Sequence, residues 1–108
     1  MPWLHDLAYF FAGAFLTNAI PHFVSGVMGR PFQSPFAKPP GEGLSSSTVN
    51  VLWGFFNIAV GYAVLSRGSF DLRSTVDGGA FGLGILLIAL FMAHWFGRLH
   101  GGNSPEVS

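Results

Sequence analysis

The ten charged side chains of this 108-residue sequence cluster so as to leave three windows without charge: 7–29, 43–66 and 78–97, of 23, 24 and 20 residues. A helix needs about 20 apolar residues to cross the hydrocarbon core of a bilayer. Each window meets that length. Lipid admits only structures that satisfy their own backbone N–H and C=O groups. The chain therefore reads as an all-α integral membrane protein: three transmembrane helices, about 4–28, 48–65 and 78–96, in an up-down-up bundle with helix one kinked at Pro21. A Pro-rich interfacial loop (29–47) joins helices one and two. A disordered tail (99–108) ends what reads as a single membrane domain over 1–108.

The competing reading of residues 1–29 is a cleaved signal peptide. Such a peptide needs a basic n-region and an apolar stretch of roughly 7–15 residues. "MPWLHDL" carries an acid and no Lys or Arg, and the apolar run is longer. Charged residues make up 9% of the chain, against about 25% in soluble domains, which agrees with a membrane location. The net charge is zero. No basic cluster is present to neutralise phosphates, so nucleic acid is not an expected partner, and no polybasic run suggests an anionic-lipid tether. The absence of cysteine excludes disulfides, thiolate metal sites and a cysteine nucleophile.

Four prolines between residues 29 and 47 rule out a regular helix there. Phe32 and Phe36, beside Arg30 and Lys38, suit a segment at headgroup level. Trp3 and Tyr9 are expected as interfacial anchors at the start of helix one. Ser47 or Thr48 can cap helix two. The loop end of the bundle holds Arg30, Lys38 and Arg98, and the opposite end holds Arg67 and Arg73. That excess of one positive residue places the N-terminus outside and the C-terminus inside, in a bacterial cytoplasmic membrane. "GAFL" (13–16) and "GAFG" (79–82) both precede a histidine, but at different offsets, and do not constitute a repeat.

Membrane helices associate through close packing and interhelical hydrogen bonds, because lipid is as apolar as leucine. In helix one, Ala14, Asn18, His22, Ser25 and Gly29 follow the spacing of one helical face. Asn50, Gly54, Asn57 and Gly61 do so in helix two. Gly78, Gly82, Ala89, Ala93 and Gly97 form a small-residue stripe in helix three. The simplest bundle points the three stripes at each other. An unpaired amide facing hydrocarbon would cost several kcal/mol, so Asn18, Asn50 and Asn57 are expected inside. Gly78-x-x-x-Gly82 and Ala89-x-x-x-Ala93-x-x-x-Gly97 also suit helix–helix docking, which favours a homo-oligomer or a place in a larger membrane complex.

The stretch "LTNAIPHFVSG" (16–26) carries the most informative chemistry. Pro21 has no N–H to offer the Thr17 carbonyl and opens a polar gap in the helix. His22 lies roughly 10 Å from the end of helix one, at 1.5 Å per residue. Ionisable groups at such depth are functional candidates. The expected cluster is Asn18, His22, Ser25, Asn50 and Asn57. His94 falls in the same leaflet but on a flank with Leu87, Leu90 and Phe91. A metal or bis-histidine haem site would use His22 and His94. His5 stands alone at the other end.

Other catalytic patterns are missing. No carboxylate accompanies Ser25 and His22. "GEGLSS" (41–46) has neither a preceding strand nor a following Lys, and no paired carboxylates are legible for acid–base work. The functions that fit are an oligomeric or accessory subunit of a membrane complex, a small transporter or channel lined by Asn18, His22, Asn50 and Asn57, and a haem- or metal-binding redox subunit. An enzyme acting on lipid or quinone beneath the 30–47 loop has no specific support in the sequence.

Overall fold

The computed structural model describes residues 2–104. Within them α1 spans Pro2–Val27, β1 Phe32–Gln33, β2 Leu44–Ser45, α2 Ser47–Arg67 and α3 Thr75–His100. All three helices are long and apolar enough to cross a membrane. Ser46 caps α2 by accepting from the Val49 amide, and Ser74 caps α3 by accepting from that of Asp77. α1 is continuous through Pro21. Proline is tolerated within a helix buried among other helices because neighbouring groups can satisfy the freed carbonyl.

Helix α1 is the middle of the fold. Its contacts with α2 run antiparallel. Gly26 meets Ser47 and Val51, Gly54 meets Phe23, Gly61 meets Leu16, and Gly68 meets the Tyr9 hydroxyl. A Cβ on Gly54 would lie 2.7 Å from the Phe23 nitrogen, so only glycine admits this approach. The contacts of α1 with α3 run parallel: Gly84 abuts the Phe10 carbonyl, and Gly13 abuts Phe81 and Ile85. α2 and α3 each pack on α1 and scarcely touch each other.

This arrangement differs from three stripes meeting at one axis. A helix between two partners must bury two faces. α1 accordingly buries Tyr9, Ala12, Thr17, Ala19 and His22. Ala14 and Ser25 are half-buried, and Gly29 lies outside the helix, exposed, at φ 75°. Tyr9 is 2% exposed and stacks edge-on to Phe70. It is a core residue and not the interfacial anchor expected of it.

The small-residue stripe of α3 is also displaced from expectation. Gly84, outside that stripe, is the buried residue of α3. Gly82 has open space where a Cβ would stand, Ala93 is exposed, Ala89 is half-buried, Gly78 faces the Leu72 carbonyl, and Gly97 meets Asn103. Spacing alone defines a stripe but not which way it turns. Gly84 wins because the Phe10 backbone comes closest there.

The segment after α1 folds back as a roof. β1 and β2 pair antiparallel, Phe32 opposite Ser45 and Gln33 opposite Leu44. Ser34 Oγ and Ser45 Oγ are 2.5 Å apart. Phe32 inserts its ring against Phe96 (4.8 Å between centroids), His22 and His100 (5.4 Å each). The indole N–H of Trp95 donates to the Gly41 carbonyl at 2.8 Å, and Arg98 reaches Glu42 at 3.6 Å. The loop thus bridges α2 and α3, which do not bridge themselves.

The C-terminal end departs from the expected disordered tail. α3 continues to His100 and stops at Gly101 in the left-handed conformation. The Asn103 side chain donates back to the His94 carbonyl at 2.8 Å. Residues 105–108 of that tail lie outside the described residues.

The α3 contact can be tested with a pair of substitutions. Gly84→Ala forces a methyl into the Phe10 backbone and is expected to destabilise the protein by about 1–3 kcal/mol. Gly82→Ala meets open space and is expected to be neutral or stabilising, by up to about 1 kcal/mol from helix propensity. Thermal unfolding in mild detergent, followed by circular dichroism, reads both.

Candidate functional site: a loop-capped cavity at His22

Asn50 organises the site. It is fully buried, at 0% exposure, on the first turn of α2. Its side-chain nitrogen lies 3.1 Å from the Phe32 carbonyl, 3.1 Å from that of Ser45 and 3.0 Å from that of Ser46. Two hydrogens serve three acceptors, so the amide nitrogen must face the loop and the amide oxygen must face the other way. That oxygen lies 2.9 Å from His22 Nδ1. An oxygen there accepts, so Nδ1 carries the proton. In the uncharged ring the lone pair then sits on Nε2.

Three aromatic rings surround the imidazole. Phe32, Phe96 and Trp53 lie edge-on to it at 5.4, 6.2 and 6.4 Å between centroids. His22 is 3% exposed, and what remains open borders a cavity of about 280 Å³ between α1, α2, α3 and the loop. Asn18, Gln33, Ser34 and Trp53 share its wall with the apolar side chains of α3. Asn18 donates to Asn57 Oδ1 at 3.2 Å, and Asn57 donates to the Trp53 carbonyl at 2.8 Å. Gln33 Oε1 lies 2.7 Å from His100 Nε2. Among the described residues Trp53 Nε1 is shut off from solvent with no acceptor, an arrangement that ordinarily costs about 1–3 kcal/mol.

The five expected cluster residues therefore separate into three roles. His22 and Asn50 form one bonded pair, Asn18 and Asn57 another. Asn50 and Asn57 are held by internal bonds, at 0% and 1% exposure; Asn57 borders a second cavity between the helices with Asn18 and Trp53. Ser25 is half-buried, and its backbone carbonyl accepts from Arg30 at 2.9 Å. His94 is exposed, while His22 is enclosed by Asn50 and rings. Among the described residues no three His, Cys, Asp or Glu side chains gather into a set that could hold a metal ion.

Residues the sequence reading passed over belong to the site or to its opposite end. Gln33, Ser34, Trp53 and Trp95 join the cavity only because the loop folds back, and no periodicity announces that. At the other end, the Asp6 and Asp77 carboxyls face each other, so paired carboxylates do exist. His5 stacks obliquely on Tyr9 at 6.4 Å beside them and is not isolated. A signal for this pair was present: Asp6 and Asp77 immediately precede two charge-free windows, and parallel helices bring such positions level.

Loop anchoring is testable through the two amides. Asn50→Leu removes the donor for the loop carbonyls and the acceptor for His22. It is expected to cost about 2–4 kcal/mol and to speed amide hydrogen exchange across residues 31–46. Asn57→Leu breaks only the bonds to Asn18 and Trp53, and exchange in the loop is expected to stay slow.

Comparison with protein-family models, curated proteins and solved structures finds no match to this chain, so the reading of the site rests on its geometry.

Proposed function

We propose that this chain is a multi-pass integral membrane protein that binds a small lipid-soluble ligand in the cavity beneath its 29–47 loop. The observation that carries this reading is the fixed histidine: Asn50 holds His22 Nδ1 in the donor role, and the ring lines a cavity roofed by the loop. A buried histidine used only as interhelical glue would be satisfied by helix partners on both nitrogens. Among the described residues, nothing bonds Nε2. The cavity approaches the roughly 300–1,000 Å³ of ligand sites and has their character, apolar walls with a few convergent polar groups.

The three spans cross the bilayer up-down-up, and Pro21 bends α1 where the polar groups gather. The excess of Arg and Lys at the loop end supports placing that end in the cytoplasm of a bacterial cytoplasmic membrane. A second property, assembly into a homo-oligomer or accessory subunit, has support in α3. Its outward face presents Gly79 and Gly82 with open space above them, beside exposed Leu83, Leu86 and Leu90. Such a face admits close approach of a further helix.

Mild extraction from the native membrane followed by native mass spectrometry tests both readings. The expected spectrum contains the chain, at multiples of 11.6 kDa, with a bound small molecule. Met92→Trp, which fills the cavity, is expected to release that molecule while leaving helicity unchanged. A bare chain, or a bound molecule indifferent to Met92→Trp, overturns the ligand reading. A spectrum of monomer alone overturns the oligomer.

A further inference from the structure

The lining of the cavity restricts what it can hold. No Lys, Arg, Asp or Glu contributes to it. Arg98, beyond the cavity residue Trp95 on α3, pairs with Glu42 and lies over the Trp95 ring at 4.5 Å. A phosphate or carboxylate headgroup would therefore be buried without a counter-charge, which is prohibitive. The occupant is neutral.

Its hydrogen bonding is constrained as well. His22 Nε2 offers a lone pair. Asn18 lines the cavity and donates its amide to Asn57, which leaves its oxygen to accept. Gln33 turns its oxygen to His100, which leaves amide hydrogens to donate. The wall thus presents acceptors on α1 and a donor on the loop, across a space bounded by Trp53, Trp95, Phe91 and Phe96. Indole and phenyl rings on facing sides favour a flat ring between them. A benzene-sized ring fits a cavity of about 150 Å³, so about 280 Å³ accommodates a ring with substituents.

A second, largely apolar cavity of about 330 Å³ adjoins the first, sharing Asn18 and Trp53, and is walled by Phe11, Phe15, Asn57 and Ile88. It follows the open groove between α2 and α3 away from the loop. Polar groups at one end and an apolar channel at the other fit an amphiphile with its ring beneath the roof and its tail in the groove.

Resting on the ligand reading above, we infer that the occupant is a neutral, ring-headed isoprenoid-type amphiphile of the quinone or quinol class, its hydroxyl donating to His22 Nε2 and its carbonyl or second oxygen accepting from Gln33.

The test uses the full chain in nanodiscs of neutral phosphatidylcholine, titrated with a decyl-substituted benzoquinone and with its quinol. Binding is read by native mass spectrometry and by quenching of Trp53 and Trp95. Saturable binding is expected for the intact chain. His22→Phe keeps a ring in place and is expected to weaken quinol binding roughly tenfold or more, the weight of one or more net hydrogen bonds. Gln33→Leu is expected to weaken the quinone by a similar factor. Because His22→Phe also disturbs the Asn50 bond, Met92→Trp serves as a second variant outside that pair and is expected to abolish binding of both. Two further probes separate this inference from the broader reading. If monoolein, a neutral amphiphile without a flat ring, or phosphatidic acid binds in a Met92→Trp-sensitive way while the quinone and quinol do not, the ring-headed class is overturned and the ligand site stands. If no probe binds, both fall.

Discussion

The amide of Asn50 holds together parts of the chain that nothing else joins. It is 0% exposed, and a buried primary amide must spend its hydrogens and its oxygen within the protein. Its hydrogens go to carbonyls near both ends of the loop, at Phe32, Ser45 and Ser46. Its oxygen goes to His22 on another helix. One side chain thereby closes the loop, docks it on the bundle and sets which imidazole nitrogen carries the proton. The site's chemistry follows from that last step, because in the uncharged ring it leaves the lone pair on Nε2.

The loop matters because of how the helices pack. α1 lies between α2 and α3, with glycines on all three helices allowing backbones to approach. α2 and α3 diverge across α1 and leave a groove. A bundle closed on itself would have filled that groove with its own side chains. Here the groove is roofed at one end by the strand pair and by Trp95, Glu42 and Arg98, and it remains open along its length. The same divergence gives a three-helix protein both a polar interior and an apolar flank.

Much of this was legible in particular residues. The charge-free windows mark the three helices because lipid-length helices exclude charge. Asn50, Gly54, Asn57 and Gly61 are the buried residues of α2, and their spacing is enough to see it, since α2 has one partner and therefore one buried face. The same reasoning fails for α1, which has two partners, and for α3, where Gly82 and Ala93 share a stripe yet face outward. Small residues permit close approach but do not require it. The Asp6–Asp77 pair was readable only jointly with the parallel direction of α1 and α3.

The sequence by itself determined the number of helices long and apolar enough to cross a membrane and the polar groups that would be costly against lipid, because hydrocarbon penalises charge and unpaired amides whatever the fold. Only the tertiary structure decided that α1 is central, that Gly84 rather than Gly82 makes the α3 contact, and that a proline-rich loop brings Phe32, Gln33 and Ser34 over His22. Those outcomes depend on which backbones come closest and on where one buried amide finds its acceptors. Neither is a periodic property of the chain, and so neither can be read along it.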